Sequence, residues 1–212
     1  MSEEPKNKPW QIRLGFTLRK FFFALYKKTG LTQKQTIAYK EINKILIIRT
    51  DRLGDAVITT PLIKAIKANL PDKQLYILCS EQNRLIFKNN PFIDKLFIID
   101  ISPWLDYRII KIPVLGPAFN FIYSLIYHFK DKKFTSVLRS LKSEKIDVVF
   151  DAVGRRRTAF LSRYLGKFTI GPKVSEIIFL YNYYPDYIWV DTTNKKHIIE
   201  RYFDTFFKAI QL

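Results

Sequence analysis

The stretch Ile45-Leu-Ile-Ile-Arg-Thr-Asp-Arg-Leu-Gly-Asp-Ala-Val-Ile-Thr-Thr-Pro61 changes its hydrophobic period halfway along, and that change decides the fold. Residues 44–50 carry apolar side chains at the successive positions Ile45 to Ile48, which predicts a strand covered on both faces, as in parallel sheets. From Gly54 to Leu70 the apolar residues Val57, Ile58, Leu62, Ile66 and Leu70 fall at helical spacing, and Pro71-Asp72 closes the helix. Between strand and helix lies the short loop Arg49-Thr-Asp-Arg-Leu-Gly-Asp55.

Working outward, the same alternation repeats. Strands are predicted at 74–79, 95–100, 146–151 and 167–170, with helices at 83–88, 134–144 and 158–165. Strand-helix order of this kind gives an α/β fold, a Rossmann-like parallel sheet with helices on both faces and right-handed crossovers. Two pieces stand apart. Residues 101–133 contain Pro103-Trp104, Ile112-Pro-Val-Leu-Gly-Pro117 and an aromatic run from Phe119 to Phe129, too long for an ordinary connection. They read either as an interfacial lid that dips into a membrane or as a helical insertion on the core. At the end of the sequence, Tyr202, Phe203, Phe206 and Ile210 form the stripe of a last helix from His197 to Ile210.

The first 43 residues form a basic amphipathic extension. Trp10, Leu14, Leu18, Phe21 and Leu25 share a helix face, and nine Lys and Arg stand against Glu3, Glu4 and Glu41. Such a helix suits the interface of an anionic bilayer, or a place on the domain's own surface. The whole chain of 212 residues has 36 Lys and Arg against 19 Asp and Glu, a net charge of +17, which calls for an anionic partner. Nucleic acid is the weakest candidate, because no RNA- or DNA-binding motif is present. The single Cys79 sits in an apolar strand and reads as a buried, unreactive thiol in a reducing compartment. His128 and His197 are far apart and no ligand cluster has metal spacing, so no metal site is predicted. No run approaches the ~20 apolar residues of a spanning helix, and no cleavable signal is evident. A cytoplasmic protein, peripheral on the inner face of the cytoplasmic membrane, is the expected setting.

The loop after the first strand is the candidate site. Ligands of open α/β sheets gather beyond the carboxyl ends of strands. Gly54 permits close backbone approach, and helix-initial amides beside Arg49 and Arg52 make the loop electropositive. Asp55 stands where the helix begins, with Thr59 and Thr60 one turn on; from the residues alone it is as much a helix cap as a catalytic carboxylate. The loop has neither G-x-G-x-x-G nor G-x-x-x-x-G-K-[ST]. Arg155, Arg156 and Arg157 follow another strand end. They read as binders of phosphate or carboxylate, or as a solvated basic turn.

Ile47-Ile-Arg-x-Asp-Arg-Leu-Gly-Asp-x-x-x-x-x-Pro61 resembles the opening signature of the lipopolysaccharide heptosyltransferases, glycosyltransferase family 9. The resemblance continues in order through Leu62 to Pro71, Asn90-Pro-Phe-Ile-Asp94, Ile146-Asp-Val-Val-Phe-Asp151, Gly154-Arg-Arg-Arg-Thr158 and Thr169-Ile-Gly171. It implies the N-terminal, acceptor-side lobe of a GT-B glycosyltransferase over residues 44–192, with 193–212 as the helix at the expected interdomain linker. It further implies Asp55 as general base, with Arg49, Arg52, Gly54, Thr59, Thr60 and Arg155 to Arg157 around the acceptor, in an inverting, metal-independent transfer. No cofactor is implied; a nucleotide-sugar such as ADP-heptose is the co-substrate. The run Asp151-Ala-Val-Gly154 departs from the polar Asp-x-Gln-Gly type of the family.

The donor-binding motifs of that family's second lobe are not found in this sequence. The expectation is therefore an acceptor lobe with negligible transfer alone, completed by a separate donor-lobe chain. Its partners would be a lipid-linked saccharide acceptor and an anionic membrane surface. The alternative is a non-catalytic membrane-surface binding or scaffold protein that retains the acceptor-lobe fold.

Overall fold

The computed structural model describes residues 34–99, 131–174, 178–186 and 196–212. The chain divides into two units, one of Met1–Thr32 with Ile101–Thr135, the other of Gln33–Asp100 with Ser136–Leu212. Of the first, the described part is 131–135, where Asp131 Oδ1 accepts from Lys133 N at 2.8 Å and so caps the start of a helix. The predicted helix within residues 1–33 and nearly all of the 101–133 insertion lie outside the described residues.

The second unit holds five parallel strands in the order β3-β2-β1-β4-β5. They are β1 (Lys44–Arg49), β2 (Gln74–Cys79), β3 (Lys95–Ile98), β4 (Ile146–Asp151) and β5 (Gly166–Ile170). The helices are α1 (Leu53–Asn69), the single turn α2 (Arg84–Phe87), α3 (Lys132–Ser143), α4 (Arg156–Leu165) and α5 (Ile198–Ala209). The α/β, Rossmann-like parallel sheet read from the sequence is the observed fold. The predicted strands and helices differ from those observed at their ends, α4 starting two residues earlier and β3 stopping two residues sooner, and the 3-10 turns Tyr39–Glu41, Glu81–Asn83 and Ile178–Leu180 were not predicted.

The reason for the continuous apolar strands is burial on both faces. Ile45 and Ile47 join one core with Leu75, Ile77, Val148 and Phe150, while the alternate residues Leu46, Ile48, Leu78 and Val149 are also fully buried. α1 and α5 close the first of these faces. Phe150 meets Tyr202 and Phe206 edge-on, with ring centroids 6.1 and 5.8 Å apart. Cys79 lies inside this core, and burial pushes its thiol up to about 12, so it is inert as the sequence suggested. Helix α1 carries Pro61 in its interior, which leaves the Val57 carbonyl without its usual donor; the Thr60 hydroxyl supplies one at 2.8 Å. Among the described residues, no helix is long and apolar enough to cross a membrane.

Ion pairs hold the amino ends of the strands. Glu144, just before β4, takes the Lys44 ammonium at 2.9 Å, and also pairs with Lys95 and the Tyr76 hydroxyl. Asp147 accepts from the backbone of Asn43 and Lys44 and from Lys167. Hydrogen bonds from Lys95 and Lys44 hold the Glu144 carboxyl down to about 2, against an ordinary 4.5. A carboxyl whose native pKa is depressed contributes stability that is complete above its unfolded value and is lost as pH falls through the native one. Glu144→Gln therefore lowers the urea midpoint at pH 7, and the difference from the parent protein shrinks as pH falls from 4.5 toward 2. A pH-independent difference across that window would show that the charge is not what stabilises this end of the sheet.

Candidate functional site

Strand order fixes where a ligand can sit. From β1 the chain runs through α1 to β2 on one side, while β4 lies against β1 on the other, with Ile48 paired to Asp151. The carboxyl ends of β1 and β4 are thus the switch point of the sheet, where the connecting loops diverge and leave a crevice. The two loops singled out in the sequence, 50–55 and 152–155, leave the sheet side by side at this point.

In the first loop, Arg49 ends β1 with its side chain only 1% exposed. Its Nη1 donates to Asp51 Oδ2 at 2.9 Å, and its guanidinium lies over the Tyr202 ring of α5, 5.2 Å from the centroid. Burial holds the Asp51 carboxyl above its ordinary value; Arg49 opposes that shift and the Asp55 carboxylate adds to it. Burial likewise raises the Tyr202 phenol, with Arg49 opposing and Asp51 and Asp55 adding. Arg49, Asp51, Asp55 and Tyr202 therefore form one electrostatic cluster. Asn83, from the turn after β2, clamps it by donating Nδ2 to the carbonyls of Arg49 at 3.2 Å and Asp51 at 2.9 Å.

Helix α1 begins without a side-chain cap: its N-cap is the exposed Arg52, and Asp55 is the third helical residue, half-buried. The cap reading of Asp55 thus has no hydrogen bond behind it among the described residues. Thr59 is fully buried and donates its hydroxyl to the Asp55 carbonyl at 2.8 Å, fixing the first turn from behind. Thr60 is half-buried and lines an open depression of about 540 Å³ with Pro61, Lys64, Leu85, Ile86 and Phe92. Gly54 is exposed, and a Cβ placed on it would meet nothing within 4 Å.

The second loop is built on Asp151, which is fully buried at the end of β4. Its Oδ1 accepts from the amides of Val153 and Gly154, both at 3.0 Å, and its Oδ2 accepts from the Tyr181 hydroxyl at 2.6 Å. Burial still raises its carboxyl, against the pull of Tyr181 and the loop amides. Gly154 takes φ +69°, and a Cβ there would lie 2.2 Å from the Pro172 ring. The turn delivers Arg155 to the N-cap of α4, where its backbone exchanges hydrogen bonds with Thr158; Arg155 and Arg156 are exposed and Arg157 is half-buried.

The fold therefore brings Arg49, Arg52, Gly54, Asp55 and the loop of Arg155 to Arg157 to one edge of the sheet, with Thr59 buried behind that edge and Thr60 on the outer side of α1. Sequence reasoning gave no site role to Asp51, Asn83, Asp151, Tyr181 or Tyr202. Asp51, Asn83 and Asp151 lie at or just after strand ends, which is a signal; Tyr181 and Tyr202 gave none. Among the described residues, no group of three or more His, Cys, Asp or Glu side chains could hold a metal ion.

No protein-family model matches the chain. It is 26% identical over 153 residues to lipopolysaccharide heptosyltransferase 1 of Campylobacter coli, a match that covers 70% of this chain and 36% of that protein. Its fold is similar to that of a glycosyl transferase family 9 protein of Veillonella parvula, with TM-score 0.58 and 17% identity over 84% of this chain and 43% of the other. It is also similar to the E. coli heptosyltransferase WaaC solved with ADP, with TM-score 0.57 and 17% identity over 79% and 46% of the two chains. The E. coli ADP-heptose lipopolysaccharide heptosyltransferase II aligns at TM-score 0.53 and 14% identity, over 76% and 39%. At these identities the structural likeness is one of fold. This chain is a distant relative of the family 9 heptosyltransferases and spans between about a third and a half of the relatives' length.

The two loop glycines respond oppositely to alanine. Gly154→Ala destabilises by at least ~2 kcal/mol, because the positive φ and Pro172 both oppose a Cβ. Gly54→Ala, in open space in the first turn of a helix, is neutral or stabilises by up to about 1 kcal/mol. Unfolding midpoints in guanidinium measure both; a large loss in Gly54→Ala would contradict the open geometry at α1.

Proposed function

We propose that this distant relative of the family 9 heptosyltransferases works on the acceptor side of a glycosyl transfer, with Asp55 as general base. What supports the reading most is the place of Asp55: in the first turn of a helix with no side-chain cap, at the switch point of the sheet, in a chain distantly related to the heptosyltransferases. A carboxylate there accepts the proton of an acceptor hydroxyl as that oxygen attacks the anomeric carbon of a nucleotide-sugar such as ADP-heptose. The glycosidic bond forms as the bond to the diphosphate breaks, inverting the centre. Arg49, Arg52 and the loop of Arg155 to Arg157 supply positive charge for the anionic groups of a lipid-linked saccharide and of the departing diphosphate.

The chain spans less than half the length of the relatives, so the proposal assigns it the acceptor side. The donor side falls to a further segment or a separate donor-lobe chain. The net charge of +17 favours work against an anionic membrane, at the inner face of the cytoplasmic membrane, where a lipid-linked acceptor is available.

Radiolabelled transfer from ADP-heptose to a lipid-linked saccharide tests the assignment, with the full chain alone and mixed with the nucleotide-sugar lobe of a family 9 relative. Turnover is expected in the mixture. Asp55→Asn is expected to lower kcat about 100-fold or more with little change in KM, the size of a lost general base. Undiminished turnover in Asp55→Asn sinks the base assignment, and acceptor binding without turnover in any mixture favours a non-catalytic binding or scaffold protein. The membrane part is separately open to test. Sedimentation should show the chain on vesicles containing phosphatidylglycerol and released by salt, with no matching retention of an oligonucleotide. Binding only to the oligonucleotide would overturn it.

A further inference from the structure

Five buried polar side-chain atoms among the described residues find no hydrogen-bond partner: Arg49 Nε and Nη2, Asp51 Oδ1, Ser80 Oγ and Asn83 Oδ1. All lie at the carboxyl ends of β1 and β2 or in the turns that follow. Buried donors and acceptors are almost always paired, since an orphan loses the hydration it had in the unfolded chain with nothing in return. Their concentration at one edge of the sheet marks the place as built for something further.

The chemistry of that something follows from Arg49. A guanidinium has a side edge on which Nε–H and the neighbouring Nη–H point the same way, spaced to meet two oxygens of one phosphate or carboxylate. In Arg49 that edge is the unpaired one. Nη1 is tied to Asp51 Oδ2 and the face of the group lies over Tyr202, so the side edge is held in one orientation. The tether lies at Asp51, immediately before the N-cap of α1, a helix of 17 residues whose first turn has no side-chain cap. First-turn amides without a side-chain cap there add donors and the positive end of the helix dipole. Gly54 completes the arrangement: it lies within the helix, its φ is not positive, and the space its missing side chain leaves is empty to 4 Å. Glycine at a first-turn position under no conformational demand leaves open the space through which a ligand would approach.

We propose that the β1–α1 turn is an oxyanion site, in which the Nε/Nη2 edge of Arg49 and the first-turn amides of α1 together take a phosphate or carboxylate group. The Nε and Nη2 atoms that would take the group have no hydrogen-bond partner among the described residues, while Nη1 holds Asp51. Arg49 is 1% exposed, so the oxyanion reaches it as the turn opens, and hydrogen exchange of residues 50–55 slows when it is bound. Asp51 and Asp55 oppose an anion, which is why the site needs both the fixed guanidinium and the helix end. The proposal rests on the transferase reading only in naming the source, either the diphosphate of a nucleotide-sugar or an acidic group of the saccharide acceptor.

Calorimetric titration of the full chain at fixed ionic strength tests the site, with pyrophosphate and glucuronate as separate titrants. Fork-dependent binding of pyrophosphate alone assigns the site to the diphosphate; binding of glucuronate assigns it to the acidic saccharide. In either case Arg49→Lys, which keeps the charge but not the edge, weakens binding about tenfold or more. Gly54→Ala does the same while its unfolding midpoint is equal or higher, so it decides the matter even where Arg49→Lys fails to fold. Asp55→Asn binds as well as the parent or better. No binding of either anion by the parent protein overturns the site, and so does undiminished binding in Gly54→Ala. Anion binding of this kind without sugar transfer in any mixture overturns the transferase reading and leaves the oxyanion site standing.

Discussion

A guanidinium buried at the carboxyl end of β1 sets the terms for everything near it. Removing a full charge from water costs several kcal/mol unless the group is paired and hydrogen-bonded. Arg49 is compensated by Asp51 in its own loop and by the Tyr202 ring on α5, elements brought together from opposite ends of the described sequence. The charge thereby ties the loop to the helix: Asp51 swings out only at the cost of stranding Arg49, and a shift of α5 uncovers it. Asn83 adds a clamp on the backbone of the same turn. What results is a rigid approach to the first turn of α1, where Gly54 and Asp55 stand. Rigidity of this kind is what a catalytic or binding group needs from its surroundings.

The two edges of the sheet show opposite chemistry. At the amino edge, Glu144 and Asp147 are saturated by Lys44, Lys95, Lys167, Tyr76 and backbone amides, and the result is stability. At the carboxyl edge, among the described residues, buried donors and acceptors are left unmatched, and the helix that starts there has no side-chain cap. A chain optimised only for stability would have resolved the second edge as it resolved the first. Strand order explains why the asymmetry falls this way. β1 and β4 are neighbours whose loops diverge, so the carboxyl edge has a crevice between them, while the amino edge is closed by short side-chain bridges.

Much of this was legible in the sequence because it depends on period and punctuation. The switch from continuous apolar residues at Ile45 to Ile48 to helical spacing after Gly54 specifies a buried strand and a helix, and repeats of that switch specify the parallel sheet. The positions of Asp55 and Arg155 to Arg157 at strand ends followed from the same reading. What could not be read are the contacts that depend on long-range packing. Arg49 was read as a cation that makes the loop electropositive; that β1 lies mid-sheet and α5 folds over its end, burying the side chain on Tyr202, had no local signal. Asp151 looked like one member of a family pattern with altered neighbours. Its role in holding the loop depends on Tyr181, thirty residues on, which no local pattern connects to it.

Helix α1 gathers three departures from local preference within nine residues: no cap, a glycine in the first turn, and a proline in the interior. They are unlike in consequence. Pro61 is repaired on the spot, since the Thr60 hydroxyl satisfies the carbonyl that the missing amide would have engaged. Gly54 and the N-terminus receive no such repair among the described residues, and they follow in sequence directly on the strand end where Arg49 Nε and Nη2 are unmatched. Sequences tend to be consistent across local propensity, capping and polar satisfaction, and the places where consistency fails together are where function imposes another demand. One repaired irregularity is tolerance. Two unrepaired ones, in the turn that follows a paired guanidinium with one edge unmatched, are what the proposed oxyanion site rests on, and it is the first turn of α1 that such a ligand would complete.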